Sequence, residues 1–237
     1  MKGKGDFALE LVEVKKTYSS KAYTIDALKG VSLRIGVGDL CCVMGPSGSG
    51  KTTLLKVSAG LLKPNGGSVK LFGTDIYEVS FEVRQRIRRM YTAFMFQEDL
   101  LIDTLTLREN VELPLIFRAV PKRDRRELAL KSLSEVGLED MADRRPMEVS
   151  GGERRKISLA RCLANNPRIM FLDEPTSNLD SKNALMIVNL IKRINKRGIT
   201  VVLSTHDLFV AKQLGKVVYM RDGKIVRTKL KRTIRRG

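Results

Sequence analysis

A short apolar run, Leu40 to Met44, passes directly into Gly45-Pro46-Ser47-Gly48-Ser49-Gly50-Lys51-Thr52. This junction constrains the fold more than any other stretch, because it demands a strand, a glycine-rich loop and a helix in that order. A continuous apolar run of this length suits a strand buried on both faces of a parallel sheet. The loop fits the pattern G-x-x-x-x-G-K-[ST]. Its glycines let successive backbone N–H groups turn inward and form a concave nest for anions. The helix N-terminus behind the nest adds positive potential. That helix is predicted from Lys51 to about Ala59, with Gly60 near its end. Lys51 is expected to reach the β and γ phosphates of a nucleoside triphosphate, and Thr52 to offer its hydroxyl to Mg²⁺. Thr53 completes the stretch expected to contact the nucleotide.

The rest of the chain alternates in the same style. Residues 7–14 and 31–35 read as early strands, and turn signals at Gly66-Gly67 and Gly73-Thr74 suggest a hairpin over 66–77. From about Asp99 to Ala164 the pattern turns helical and charged, with breaks expected at Pro114, Pro121 and Pro146. Ile169 to Leu172 is a second buried strand. Positions 184, 187, 188, 191 and 194 are all apolar at helical spacing, and Gly198 closes that helix. Ile199 to Leu203 is a strand again. Strand and helix alternate on both sides of a helical block, which argues for a parallel α/β core with an inserted helical subdomain.

Two further constellations carry chemistry. The strand ending at Leu172 delivers Asp173 and Glu174 to the C-terminal edge of the sheet, where such folds bind ligands. Asp173 is the expected Mg²⁺ partner. Glu174, a second carboxylate beside it, can orient or deprotonate a water for in-line attack on the γ-phosphate. The bland alternative is an acidic turn ahead of Pro175. Downstream of the phosphate loop, Ser150-Gly151-Gly152 opens a helix and offers a second anion site, too far along the chain to belong to the first loop. Two anion sites for one triphosphate suggest two copies closing on ATP.

Taken together, Gly45 to Thr52, Gln97, Ser150 to Glu153, Asp173-Glu174, Ser177 to Asp180 and His206 resemble, in order and spacing, the nucleotide-binding subunit of an ABC transporter. The resemblance covers essentially the whole chain. It implies a P-loop NTPase fold with a RecA-like parallel sheet core, an N-terminal antiparallel β subdomain and an inserted helical subdomain. Residues 1–98 and 161–225 would form the core with its β subdomain, 99–160 the helical subdomain, and 226–237 a basic tail. It implies ATP and Mg²⁺ as ligands, a homodimer on ATP binding and a separate integral-membrane permease as partner. Gln97 would sense Mg²⁺ and the attacking water, and link the site to the helical subdomain. Ser150 and Gly152 would bind the γ-phosphate held by the opposite subunit, and Asp180 would lie at the dimer seam. His206, the one histidine in the sequence, would contact the γ-phosphate. Tyr18 stands where such proteins carry an aromatic ring against adenine, a stacking role any flat ring can fill. Residues 104–115 are similar to the lipoprotein-releasing and macrolide-exporting ATPases, which points to export or lipid extraction. The rival reading is a non-transport member acting in DNA repair or on ribosomes.

The signature departs from the family in having Val149 and Glu153 where leucine and glutamine are usual. Ser150-x-x-Glu153 is also a capping box, so Glu153 favours the positive helix end but stands near phosphate. Altered ATP affinity is expected there.

Composition limits the remaining readings. The sequence has no apolar run near the roughly 20 residues that a membrane helix needs, and no apolar signal core follows Met1 to Asp6. A cytoplasmic protein is expected, peripheral on the inner face of the cell membrane through its partner. Cys41, Cys42 and Cys162 lack metal spacing and read as small buried hydrophobes. The net charge is +18. Arg221, Lys224, Arg227, Lys229, Lys231, Arg232, Arg235 and Arg236 crowd toward the C-terminus, as a solvated end or as a contact for anionic lipid. Nucleic acid ranks last, for want of any recognised binding pattern.

Overall fold

The computed structural model describes residues 7–20 and 23–230. Two sheets organise the chain. The first is antiparallel, with strand β1 (Phe7–Ser19) between β2 (Thr24–Gly36) and β4 (Gly66–Leu71), and β5 (Thr74–Asp75) at the edge beyond β4. The second runs β10 (Lys224–Leu230), β9 (Lys216–Arg221), β3 (Leu40–Met44), β8 (Thr200–Thr205), β7 (Ile169–Leu172) and β6 (Thr92–Met95). Its members from β9 to β6 are parallel, and β10 returns antiparallel.

The helices follow from local sequence. Helix α1 (Lys51–Ser58) leaves the glycine loop and stops at Gly60, whose φ of +74° is the left-handed value expected just past a helix end. Helix α2 is Phe81–Tyr91, with Ser80 as its N-cap. Between β6 and β7 lie α3 (Leu107–Phe117), α4 (Lys122–Glu135), two 3₁₀ turns and α5 (Gly151–Leu163). Thr106 and Glu109 close a capping box on α3, and Ser150 and Glu153 close another on α5. Helix α6 (Ser181–Asn195) buries Ala184, Ile187, Val188, Ile191 and Ile194, the stripe its periodicity predicts, and α7 (Leu208–Lys212) is short.

Several expectations shift. The first two strands are longer than residues 7–14 and 31–35, because a bulge with Glu13 at φ +48° breaks the alternation between Leu11 and Val14 and pairing resumes beyond it. Pro114 does not break a helix but sits inside α3. It removes one i→i−4 bond there, while buried Leu107, Val111 and Leu115 hold the helix against its neighbours. Pro121 and Pro146 do stand at starts, as the cap of α4 and the first residue of a 3₁₀ turn. Residues 226–230, expected in a tail, belong to β10, because the turn at Asp222-Gly223 folds them back on β9. Lys231, Arg232, Arg235 and Arg236 lie outside the described residues.

The six-stranded sheet separates two cores. Cys42, Met170, Leu172, Val201 and Leu203 face a core shared with α3, α4, α5 and α6. Cys41, Val43, Phe171 and Val202 face the other, closed by α1 and the antiparallel sheet. Burial on both faces is why β3, β7 and β8 read as unbroken apolar runs. No helix among the described residues is long and apolar enough to cross a membrane.

Candidate functional site

The phosphate loop crosses the carboxyl ends of β3 and its neighbours. Gly45 N–H donates to the Thr205 carbonyl at 3.3 Å, and Gly223 N–H donates to the Ser49 carbonyl at 3.1 Å. Glycine is required twice for space: a Cβ on Gly45 would stand 2.3 Å from the Met220 carbonyl oxygen, and one on Gly50 2.4 Å from that of Ala27. Gly48 is required for conformation, at φ +76°, and its Cβ position opens on empty space. The cavity beside the loop holds about 440 Å³ and is lined by Ile25, Asp26, Ala27, Lys29, the loop residues Gly48 to Thr53 except Ser49, and Asp222-Gly223. Tyr18 stands on β1 next to it, half exposed, with its hydroxyl 3.3 Å from Thr53 Oγ1.

Three segments bring the charged groups together. Lys51 Nζ donates to the carbonyls of Gly45 and Pro46 at 2.9 and 3.1 Å and lies 3.4 Å from Glu174 Oε1. Thr52 Oγ1 donates to Asp173 Oδ1 at 3.1 Å. His206 Nδ1 sits 3.0 Å from Glu174 Oε2. Glu174 is thus held between a lysine and a histidine, one on each carboxylate oxygen. Lys51, Asp173 and Glu174 are all buried, so removing one charge of the Lys51–Glu174 pair is expected to destabilise by about 3–5 kcal/mol. Glu174 also takes φ +47°, a left-handed value rare outside glycine and held only where the surroundings over-determine it.

Ser204 was not anticipated and fixes both carboxylates. Its hydroxyl donates to Asp173 Oδ1 at 2.6 Å and accepts the Glu174 N–H at 2.9 Å. On the opposite side Asp173 N–H donates to the Met95 carbonyl at 2.9 Å. The signal was a hydroxyl residue following the apolar run Val201 to Leu203, two positions before His206. Gln97 follows the end of β6 by two residues, and that end pairs with Leu172, just before Asp173. Its side chain is exposed.

The oxygen chemistry suits Mg²⁺. A hydroxyl and a carboxylate, Thr52 and Asp173, are the hard ligands that ion takes alongside phosphate and water. An open loop of inward-turned glycines beside a lysine suits a polyphosphate.

Ser150, Gly151, Gly152 and Asp180 do not line this cavity. They lie close to one another instead. Asp180 caps α6 by accepting from Asn183 N–H at 2.8 Å, and a Cβ on Gly152 would stand 3.4 Å from Asn183 Oδ1. Ser150 N–H and Oγ–H both donate to Glu153 Oε2 at 2.8 Å, which holds that carboxyl below its usual pKa. The cap on Asn183 does the same for Asp180. Both groups face solvent. Cys41, Cys42 and Cys162 are buried free thiols, and burial pushes Cys41 up to about 12 and Cys162 to about 11.

A second, larger groove of about 630 Å³ lies away from the phosphate loop, lined among others by Arg88, Arg89, Leu113, Pro114, Phe117 and Arg161. Phe117 on this wall is 72% exposed, beside the three arginines.

The sequence profile described as "ABC transporter" matches residues 28–177. An uncharacterized ABC transporter ATP-binding protein of Methanocaldococcus jannaschii is 41% identical over 92% of this chain and 97% of its own length. A macrolide export ATP-binding/permease protein of Chlorobium luteolum is 39% identical over 92% of this chain, which spans 33% of that longer protein. Among solved structures, a dimeric ATP-binding cassette in a post-hydrolysis state, bound to ADP and Pi, superposes with a TM-score of 0.87. It is 41% identical and covers 94% of this chain and 99% of the other.

Proposed function

This chain belongs to the ABC transporter ATP-binding family, and on that premise we propose that two copies close on two ATP molecules, hydrolyse them and so drive a membrane permease. It is the ATP-binding and ATP-hydrolysing subunit of a transporter, and its relatives set aside the DNA-repair and ribosomal reading. The observation that carries the mechanism is Glu174, buried at the end of β7 between Lys51 and His206 and next to Asp173.

We assign the roles as follows. The N–H groups of Gly45 to Thr53 and the Lys51 ammonium bind phosphate. Tyr18 offers its ring to the base. Thr52 and Asp173 hold Mg²⁺, with Gln97 beside them. Mg²⁺, when bound, neutralises phosphate charge and orients the γ-phosphoryl group. Lys51 exchanges its contact with Glu174 for phosphate oxygen, which frees Oε1 to accept a proton from the attacking water. His206 keeps the other oxygen oriented and turns its exposed edge toward the γ-phosphate. Ser150, Gly151 and Gly152 reach the γ-phosphate of the other copy from the N-terminus of α5, and Asp180 lies at the seam between copies. The Ser150–Asp180 surface stands apart from its own chain's cavity, as a trans contribution requires.

The chain acts as one cassette, with its core carried by β1 to β6 and by β7 to β10 and its helical part in 99–160. The apolar groove with Arg88, Arg89 and Arg161 on its walls suits a helical segment of the permease bearing acidic side chains. That partner holds the protein on the inner face of the membrane, where Lys224, Arg227 and Lys229 on β10 add attraction to anionic lipid. The relative named for macrolide export favours export over import. Glu174→Gln should keep ATP binding, lower kcat by about 10² or more and accumulate an ATP-bound dimer on size exclusion. Hydrolysis at the normal rate would remove Glu174 from the mechanism.

A further inference from the structure

A continuous polar chain joins the 630 Å³ groove to the backbone of Glu174. Arg161, on the groove wall, donates Nη1 to the Leu100 carbonyl at 2.7 Å and Nη2 to the Asp99 carbonyl at 2.5 Å. Asp99 Oδ1 lies 3.1 Å from Arg155 Nη1. Arg155 Nη2 donates to Ser177 Oγ at 3.0 Å. Ser177 N–H donates to the Glu174 carbonyl at 3.0 Å. The segment after Gln97, helix α5 and the loop leading to Asp180 therefore meet on one guanidinium.

Arg155 is suited to this place. Its side chain is 6% exposed; Nη2 hydrogen-bonds Ser177, while Nη1 meets Asp99 as an ion pair without a hydrogen bond. The loop it grips on one side is under conformational load at Glu174, which takes a left-handed φ of +47°, while Asn178 at +61° is in a conformation asparagine adopts readily. A residue such as Glu174 keeps its conformation only while neighbours impose it, and Ser177 is the point inside this loop where a restraint from α5 attaches. On the other side the Asp99 and Leu100 carbonyls are held by Arg161.

We propose that Arg155 is a positioning residue through which occupancy of the groove sets the conformation of Glu174. The inference rests on the assignment of Glu174 as the hydrolytic carboxylate. It differs from simple stabilisation by a buried ion pair in requiring the groove and the hydrolytic step to be energetically coupled through this side chain.

The test is a kinetic cycle on the full chain. Arg155→Gln should lower kcat about tenfold while the KM for ATP stays within about threefold, since the loss concerns the hydrolytic step rather than binding. Arg161→Ala should also lower kcat. The double variant should be no slower than Arg155→Gln alone, a non-additivity expected only of residues in one network. Arg155→Lys, which reaches Asp99 but not both partners, should recover thermal stability and not kcat. Where Arg155→Gln does not fold, Ser177→Ala removes only the last side-chain link and should give the same non-additivity with Arg161→Ala. Independent, multiplying effects overturn the proposal, as does recovery of kcat and stability together in Arg155→Lys. A Glu174→Gln variant that hydrolyses ATP normally overturns the underlying assignment and the inference with it.

Discussion

Glu153 shows how one carboxylate can serve a helix and burden a binding site. The capping box uses Glu153 Oε2 to accept the Ser150 N–H, but the same oxygen also takes the Ser150 hydroxyl proton. For Ser150 to donate to a phosphate on a second copy, that proton must leave Glu153. Glutamine at this position keeps a carbonyl for the N–H and lacks the negative charge. Glu153→Gln should therefore lower the KM for ATP by about two- to tenfold, the equivalent of one charge-assisted bond no longer broken on closure. The pH dependence has a definite sign. The folded protein holds this carboxyl below its ordinary value of 4.5, through the Ser150 N–H first and its hydroxyl second. Its contribution to stability is therefore complete above that value and is lost as pH falls through the lower, folded one. Wild type and Glu153→Gln should differ by a constant amount above about pH 5.5 and converge in more acid solution, read from urea midpoints.

At the scale of elements, legibility tracked burial. Strands β3, β7 and β8 were read from sequence because both faces are covered, and α6 because its buried stripe repeats at helical spacing. Helix α2 escapes a sequence reading because its apolar positions, Val83, Ile87, Met90 and Tyr91, recur at helical spacing but lie among charged residues, and none of them is fully buried. Strand β6 is four residues long, and β9 and β10 alternate too weakly to separate from a basic tail. Of the site, Lys51, Thr52, Asp173, Glu174 and His206 were legible and do come together. Ser204 was not, because a serine inside a strand carries no pattern until the facing carboxylate is known. The two kinds of glycine in the loop predict different outcomes. Gly45→Ala meets a backbone oxygen at 2.3 Å, whereas Gly48→Ala meets nothing and bears only the strain of φ +76°. Gly45→Ala should abolish ATP binding by equilibrium titration, and Gly48→Ala should cost about 1–2 kcal/mol of stability and keep binding measurable.

At the scale of the whole molecule, adjacent thiols report on separate cores. Cys41 faces the core under the antiparallel sheet and Cys42 the core under the helical block, back to back on the central strand. Neither can meet solvent unless the six-stranded sheet opens. Burial raises the pKa of both, with Cys41 at about 12, so the native protein holds almost no reactive thiolate there at neutral pH. Labelling of both with an aromatic disulfide should proceed at one rate, equal to that of global unfolding, and rise steeply with urea. Separate rates for the two would show that the cores open independently.

The position of β3 has a consequence for how the protein is made. Its two partners in the sheet, β8 and β9, come from residues 200–205 and 216–221, and the turn at Gly223 closes on Ser49 of the loop. A nascent chain carries the complete glycine loop once residue 52 has emerged, yet the strand behind it has no neighbour on either side until well over a hundred further residues follow. Synthesis from the N-terminus therefore keeps the loop unformed until nearly all of the sequence is available. A ribosome-bound fragment ending before residue 216 would have the nucleotide motif in its sequence and no nucleotide site.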